Sequence, residues 1–427
     1  MKKNLVVQIL IAFVVGLAVG FLLWAIKGTN ENVLGWYVTI VKPFGDVLVA
    51  MLKMIVVPVI FLSLIAGAAS LPLKEFGKVG VTVLIWYLVT SLFAALVGTG
   101  LALSINPAGG GTASQWANFI GESVQQAYSP TNRGFADIIL SMFENPFQAL
   151  ANGNFLGIIV FAIAFGIGLK VVQARNEKMK KGATVILDFV NTANETVFTM
   201  VDWILMYSPI GVFALTSVNF ATYGSLLVGP YIKLTLGVVI GILCMIFVVY
   251  PIMLFIATKK NPFKVMVSIR EPMLTAFVTR SSSATLPITL KTAQEKLGIN
   301  DALASFSLPL GSTINMDGVC VHLPMFAILA ANIFGVQLGF GDLAVLVLTT
   351  VLASIGAGGV PGGSLMLLFI ILQNMNLNEM QISTIVGIAM GINPILDMFE
   401  TMNNVTGDLV CTYAVGKMHD MVDEEKV

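Results

Sequence analysis

Charge is scarce in this 427-residue chain. Only 11% of its residues are Asp, Glu, Lys or Arg, whereas 57% are hydrophobic, and the mean hydropathy is +0.90. So few charges are not enough to cover a water-soluble surface. Apolar windows run from residue 5 to residue 415 and leave no room for a large aqueous domain. The composition therefore predicts one membrane domain over residues 1–427.

Other shortages exclude further classes of protein. Acidic and basic residues balance at 23 each, so no basic surface for nucleic acid is expected. The three cysteines (Cys244, Cys320 and Cys411) all lie in apolar windows, which argues against a disulfide framework. The motifs Gly-x-Ser-x-Gly and His-Glu-x-x-His are absent, so a hydrolase built on the Ser281–Ser283 run would lack its acid–base partners. We predict no enzymatic activity and a packing role for His322.

The spacing of basic residues indicates an orientation in the membrane. Lys2 and Lys3 precede a first apolar run, Leu5 to Ile26, that is long enough to span a bilayer. Later basic clusters appear at alternate ends of the apolar windows, after spans near 44–70, 154–173 and 227–257. This pattern predicts cytoplasmic termini and a cytoplasmic tail at 417–427 in the cell (inner) membrane. The polar stretch of about 105–150 is predicted to be a surface loop.

Two apolar segments are unsuited to simple spans. The first, Thr275 to Thr289, contains Arg280, a run of three serines and Pro287. The second has five glycines and a proline within residues 355–363, which rules out a continuous helix. Broken backbone at membrane depth needs protein or a water-filled cavity around it. We predict two re-entrant helical hairpins, at about 265–294 and 342–375, with Pro287 contributing to the first break.

Each predicted hairpin is followed by a span that is polar at one point. The first of these spans contains Asn315 and Asp317 within Gly311–Gly318. In the last span, Asp397, Thr401, Asn404 and Asp408 are spaced by four, three and four residues, so they line one helix face. The repeated hairpin-then-span unit suggests an inverted repeat with a solute site at mid-membrane.

Intramembrane carboxylates are costly and usually functional. Asp317, Asp397, Glu400 and Asp408 face one arginine, Arg280, which leaves a formal excess of three negative charges. We therefore expect a ligand-and-ion site that binds something cationic; a purely structural network and a passive channel are the alternatives. By spacing alone, the hydroxyls of the third span are interpreted as structural: Tyr87, Thr90 and Ser91.

Four motifs resemble those of the dicarboxylate/amino acid:cation symporter family, to which the glutamate transporters belong. They are Arg280-Ser-Ser-Ser-Ala-Thr-Leu-Pro287, Asn315-Met-Asp-Gly318, Gly356-Ala-Gly-Gly-Val-Pro-Gly362 and Asn404-Val-Thr-Gly-Asp408. The resemblance implies an all-α membrane fold of eight transmembrane helices and two re-entrant hairpins, arranged as inverted repeats. It also implies a homotrimer with an elevator mechanism. Scaffold and trimerisation residues would lie mainly in 1–75 and 130–225, and the transport domain mainly in 76–104 and 226–416.

The resemblance also implies roles for individual residues. The first hairpin tip with Ser282, together with Asn404, would hold the α-carboxylate of an amino acid, and Asp397 would take its α-ammonium. The full substrate-binding set carried over is Arg280, Ser281, Ser282, Ser283, Val319, Gly359, Val360, Pro361, Gly362, Asp397, Glu400, Thr401 and Asn404.

Three sodium ions are implied as coupling ions. The first would bind the carbonyls of Gly311, Asn315 and Asn404 with the carboxylate of Asp408. The second would bind the carbonyls of Thr313, Ser354, Ile355 and Ala357. The third would bind Tyr87, Thr90, Ser91, Asn315 and Asp317, which gives the hydroxyls of the third span a functional role. Hard oxygen ligands suit sodium, and three such ions would cancel the excess of three charges.

Departures from the family pattern bear on the substrate. Glu400 stands where dicarboxylate carriers have an arginine, and Val319 replaces a threonine that helps to hold the side-chain carboxylate. A carboxylate at position 400 would repel acidic substrates. Together with the run Gly362–Leu365, it resembles the serine/threonine branch, so we predict a small neutral amino acid. A cationic substrate paired with Glu400, and a structural Glu400–Arg280 pair, are the alternatives. Leu323 replaces a glutamate linked to proton coupling, so that route of coupling is not expected.

Overall fold

The computed structural model describes residues 3–26, 31–69, 77–108, 140, 142–175, 177–357, 359, 361–375 and 377–423. Within these ranges the secondary structure is helical, apart from one isolated bridge between Ile299 and Val422. The helices are α1 Lys3–Ile26, α2 Glu31–Ala69, α3 Gly77–Ile105, α4 Pro146–Asn152, α5 Phe155–Arg175, α6 Glu177–Tyr223, α7 Val228–Cys244, α8 Tyr250–Thr258, α9 Pro262–Ser268, α10 Arg270–Thr279, α11 Ser282–Glu295, α12 Asp301–Ile314, α13 Asp317–Phe334, α14 Phe340–Ser354, α15 Gly363–Asn374 and α16 Glu379–Met418.

Several of these helices have the length and hydropathy of membrane spans. Among the described residues, seven helical segments meet both criteria, from Val7–Ile26 to Gln381–Met418. One of them, Glu177–Thr258, is 82 residues long. As one straight helix it would measure about 120 Å, several times the bilayer core, so it includes more than one crossing. The chain bends at Gly224, where φ is +55°. The protein is therefore a multi-pass membrane protein.

The helices pack in two groups. In one group, α1 and α2 lie along α6, and α5 packs against α2 and α6. In the other, α13 is central and contacts α3, α7, α14, α15 and α16, while α10 and α11 contact α16. Two spans of the second group are the most enclosed: 94% of the best window in Asp301–Phe334 and 72% of that in Gln381–Met418 are buried, against 28–50% in the other described spans. The polar motifs of the sequence thus lie in the most enclosed part of the molecule.

The first predicted break lies between α10 and α11. Arg280 ends α10 with a left-handed φ of +56°. Ser281 is extended, and its hydroxyl caps α11 by accepting a hydrogen bond from the Ala284 amide at 3.2 Å. Pro287 lies inside α11, so the expectation that it contributes to the break is wrong. The serine cap decides where the helix begins, and one proline beyond the first turn removes only one backbone donor.

The second break matches the glycine-rich prediction. α14 ends at Ser354 and α15 begins at Gly363. Gly359 has a φ of +63°, and a Cβ added there would lie 2.1 Å from the carbonyl oxygen of Ser312. Only glycine permits this close approach to the end of α12. Gly358 and Val360 lie outside the described residues, as does most of the predicted loop of 105–150, in which α4 begins at Pro146.

A further break was not predicted. The span containing Gly311–Gly318 is interrupted, because α12 ends at Ile314 and α13 begins at Asp317. Asn315 and Met316 between them have non-helical backbone angles. Non-helical backbone frees carbonyl groups from the i→i−4 ladder, so this break supplies oxygen atoms in a buried setting.

Candidate functional site

The two breaks meet around a small buried cavity. The Ser281 hydroxyl donates a hydrogen bond to the Gly359 carbonyl at 3.0 Å, and the Gly362 amide donates to Asp397 Oδ2 at 3.1 Å. The cavity has a volume of about 20 Å³, which is room for about one water molecule. Its described lining residues are Ser282, Met316, Val319, Ala357, Gly359, Gly363, Ser364, Asp397, Glu400, Thr401 and Asn404.

Most of the predicted substrate residues are brought together here. Those that line the cavity are Ser282, Val319, Gly359, Asp397, Glu400, Thr401 and Asn404. The other predicted residues that the structure describes do not line it: Arg280, Ser281, Ser283, Pro361 and Gly362. Val360 is also predicted but lies outside the described residues. The described lining also includes four residues outside the predicted substrate set: Met316, Ala357, Gly363 and Ser364.

A buried ion pair joins the first hairpin tip to α16. Arg280 donates from Nε at 2.9 Å and from Nη2 at 2.7 Å, both to Asp397 Oδ2. Its remaining nitrogen, Nη1, has no hydrogen-bond partner among the described residues. The side chains are only 4% and 6% exposed. Arg280 thus neutralises Asp397, and the alternative of a structural Glu400–Arg280 pair is wrong.

Glu400 is paired with His322 instead. Nδ1 of His322 is in hydrogen-bond contact with Glu400 Oε1, and the two side chains are 0% and 1% exposed. The imidazole also stacks on Phe326 with ring centroids 4.7 Å apart. The packing role predicted for His322 is therefore incomplete, because the sequence count of charges left the imidazole out. If protonated, His322 reduces the excess of three negative charges to two.

Asp408 lies beside the break between α12 and α13. Its Oδ1 accepts a hydrogen bond from the Asn315 amide group at 3.0 Å. A Cβ added to Gly311 would lie 2.4 Å from the same oxygen, so α12 and α16 touch at this point. The Asn404 side-chain oxygen accepts from the Gly318 amide at 2.7 Å. The residues of the first predicted sodium set are therefore neighbours.

The third predicted sodium set also converges. Ser91 donates to Asp317 Oδ1 at 2.8 Å, and Thr90 donates to Asn315 Oδ1 at 3.4 Å. Tyr87 differs, because its hydroxyl donates to the Ser307 carbonyl at 2.9 Å. The interpretation by spacing alone, that Thr90 and Ser91 are only structural, overlooked that α3 packs directly on α13.

The second predicted set lies between two helix ends. Thr313 is in the last turn of α12, and Ser354 ends α14. The loop that follows Ser354 reaches α12 through Gly359, beside the Ser312 carbonyl. The Ser354 carbonyl accepts from the Ala357 amide at 3.1 Å and retains a second lone pair. Two helix C-termini give this place a partial negative charge that favours a cation.

Comparison with known proteins agrees with this arrangement. The sequence profile of the sodium:dicarboxylate symporter family matches residues 5–418. The chain belongs to this family. This symporter is similar to the neutral amino acid transporter B(0) of Mus musculus, with 31% identity covering 90% of this chain and 74% of that protein.

Two other relatives extend the comparison. An excitatory amino acid transporter of Caenorhabditis elegans is 31% identical over 95% of this chain and 86% of its own. The neutral amino acid transporter A of Bos taurus is 28% identical over 85% of this chain and 73% of its own. Membership of a transporter family confirms that the protein is not an enzyme, and sodium symport is the activity of the family.

Some polar residues at the site of this symporter were not predicted from the sequence. Tyr250 donates from its hydroxyl to Asp317 Oδ2 at 2.8 Å. Ser307 is in hydrogen-bond contact with Thr412 at 2.8 Å and links α12 to α16. Tyr250 begins α8 within a run of apolar residues, so no local pattern marks it. Only the packing of α8 against α16 brings its hydroxyl to the carboxylate.

Proposed function

We propose that this symporter couples sodium to the uptake of a small neutral amino acid of the serine, threonine or alanine type. The observation that carries the proposal is the lining of the cavity between the two breaks, which among the described residues includes Asp397 and Glu400 but no basic residue. A second carboxylate on the substrate would meet two carboxylates whose basic partners, Arg280 and His322, are already engaged.

The substrate backbone is placed by charge. The N-terminus of α11, with Ser282 exposed only 2%, offers backbone amides to the α-carboxylate, and Asn404 lies across the cavity. Asp397 takes the α-ammonium. Because Asp397 is bonded to Arg280, substrate binding requires part of this pair to open, and the unpartnered Nη1 of Arg280 is then available to the substrate carboxylate. The relatives named as neutral amino acid transporters support this assignment.

Three sodium ions serve as coupling ions in this proposal. The first is held by Gly311, Asn315, Asn404 and Asp408, the second by Thr313, Ser354, Ile355 and Ala357, and the third by Tyr87, Thr90, Ser91, Asn315 and Asp317. All of the donors are oxygen atoms in buried or half-buried places, which suits a hard cation. Asp317 and Asp408 have hydroxyl and amide partners, and sodium supplies the missing positive charge.

The architecture proposed is the elevator of eight transmembrane helices and two re-entrant hairpins. The two packing groups support it. The group around α1, α2, α5 and α6 corresponds to a scaffold in 1–75 and 130–225, and the group around α13 corresponds to a transport domain in 76–104 and 226–416. Inverted repeats, a homotrimer, insertion in the cell membrane bilayer and cytoplasmic termini complete the proposal.

One further candidate rests on a specific atom. Glu400 Oε2 has no hydrogen-bond partner among the described residues, so a cationic side chain is the competing ligand. Uptake of radiolabelled amino acids into proteoliposomes distinguishes the candidates, with an inward sodium gradient and with choline in place of sodium. Sodium-dependent accumulation of serine, threonine or alanine supports the proposal. Accumulation of lysine or ornithine instead would make Glu400 a counter-ion, and equal uptake in choline would contradict sodium coupling.

A further inference from the structure

His322 lies behind the cavity rather than on it. Glu400 lines the cavity, whereas His322 is absent from the described lining and is fully buried on α13. Glu400 Oε1 is held by His322, and Oε2 is left without a partner among the described residues. His322 therefore reaches a bound solute only through Glu400. The ring is fixed on its other side by stacking on Phe326.

The contact decides what kind of ligand Glu400 prefers. A buried carboxylate with no compensating charge or donor is costly, and on its own it attracts a cation. The nearby cation, Arg280, is already bonded to Asp397. His322 is the basic side chain in contact with Glu400, as Arg280 is for Asp397. With one proton between the imidazole and the carboxyl group, the pair carries no net charge, and Oε2 remains as an acceptor.

We propose that His322 is a specificity-determining positioning residue that acts through Glu400. His322 holds Oε1 and offsets the negative charge of the carboxylate. Oε2 is thereby left as a hydrogen-bond acceptor, within a pair of no net charge, for the side-chain hydroxyl of serine or threonine. His322 also prevents Glu400 from acting as the counter-ion of a cationic side chain. The inference rests on the proposed function, since it takes an amino acid as the solute and orders the substrates within that class.

Two variants separate the hydrogen bond from the charge. His322→Phe keeps an aromatic ring against Phe326 but removes the donor. His322→Asn keeps a donor near the position of Nδ1 but cannot carry a proton charge. Michaelis constants for serine, alanine and 2,4-diaminobutyrate are measured with each variant in proteoliposomes. His322→Phe is expected to raise the serine constant about tenfold relative to that of alanine, which has no hydroxyl.

The cationic substrate reports on charge. Transport of 2,4-diaminobutyrate is expected to appear in both variants, since each leaves Glu400 without a partner that bears charge. His322→Asn is expected to retain most of the preference for serine over alanine. The same substitutions are then made with Glu400→Gln, which has no charge to expose. In that background, His322→Phe is expected to give no transport of 2,4-diaminobutyrate.

A merely structural histidine predicts another result. It would raise the constants for serine and alanine by the same factor, with no transport of the cation, in both backgrounds; that outcome overturns the inference. Failure of the proposed function is distinguishable, because the unaltered protein would then accumulate no neutral amino acid at all. The midpoint of thermal unfolding in detergent, measured for every variant, serves as the control for folding.

Discussion

The two buried clusters of carboxylates are compensated differently. At the cavity, Asp397 is paired with Arg280 and Glu400 with His322, so each carboxylate contacts a basic side chain. About two to three helix turns further along α16, Asp408 accepts from the Asn315 amide, and Asp317 accepts from the hydroxyls of Ser91 and Tyr250. Hydroxyl and amide donors satisfy lone pairs but bring no positive charge.

This difference indicates which cluster needs ions. Removing a carboxylate from water is offset only by an opposite charge or by many donors. The carboxylates at the cavity already contact basic side chains of the protein, whereas Asp317 and Asp408 have only hydroxyl and amide partners among the described residues. We therefore expect sodium to bind most strongly at the second cluster and to be needed there before the site is stable. The cavity is then free to select its solute by shape and hydrogen bonding.

The largest effect on sodium binding is expected when a carboxylate without a basic partner is removed. Asp408→Asn is expected to raise the sodium concentration for half-maximal uptake by about a hundredfold, because loss of one member of a buried charge pair costs about 3–5 kcal/mol. Initial rates of amino acid uptake, measured over a range of sodium concentrations, give this half-maximal concentration. Glu379→Gln, at an exposed carboxylate, is the matched control. An unchanged sodium dependence would remove Asp408 from the ion site.

A change of sign at the cavity tests the other cluster. Glu400→Arg is expected to shift selectivity from serine toward aspartate by at least about tenfold, because the substrate's side-chain carboxylate would then meet a cation. Competition of radiolabelled serine uptake by unlabelled aspartate measures the shift. The sodium dependence of uptake is expected to change little, since Asp317 and Asp408 keep their contacts. If selectivity stays with serine, Glu400 does not contact the solute.

Hydroxyl donors at the ion cluster should matter less than its carboxylates. Ser91→Ala removes the donor to Asp317 and is expected to raise the half-maximal sodium concentration about tenfold, the lower end of the effect of one hydrogen bond to a charged group. Thr99→Val on the same helix is the control, because the Thr99 hydroxyl has no partner among the described residues. Equal effects of the two variants would mean that α3 only packs against the site.

Part of this arrangement was predictable from local sequence. The glycines and the proline of residues 355–363 predict that no helix continues through this segment. α14 does end just before it, at Ser354, and α15 begins at Gly363. The spacing of Asp397, Asn404 and Asp408 predicts one polar face on α16. In the structure, Asp397 and Asn404 line the cavity, and Asp408 contacts Asn315 in the second cluster. Helix period and backbone propensity are properties of a short segment, so they can be interpreted without knowing its neighbours.

The partners of the charges were not predictable in the same way. Whether Arg280 bonds to Asp397 or to Glu400 depends on the rotation of α16 relative to the first hairpin tip. Whether His322 reaches Glu400 depends on the register between α13 and α16. Both are set by packing among helices distant in sequence. The break at Asn315 and Met316 also escaped notice, because neither residue is a helix breaker and tertiary contacts override weak propensity.

The smallest expected effect on stability is that of removing a charge pair at the protein surface. This exposed pair shows how much burial contributes to the behaviour of the two carboxylate clusters. Lys53 and Glu379 are joined by a salt bridge, with side chains 46% and 85% exposed. The hydrogen bond from Lys53 lowers the pKa of Glu379 below its ordinary 4.5. Because the folded pKa is depressed, the stabilisation is present above that ordinary value and is lost as pH falls through the folded pKa.

Glu379→Gln should therefore lower the free energy of unfolding by at most about 1 kcal/mol at pH 7, and by less in high salt. The midpoint of thermal unfolding in detergent, measured at pH 7 with low and with high salt, checks this expectation. Lys53→Met is the reciprocal variant and should give a similar small shift. A large loss of stability in both variants would mean that a bridge between α2 and α16 holds the two helix groups together, so that exposed and buried pairs would no longer differ in kind.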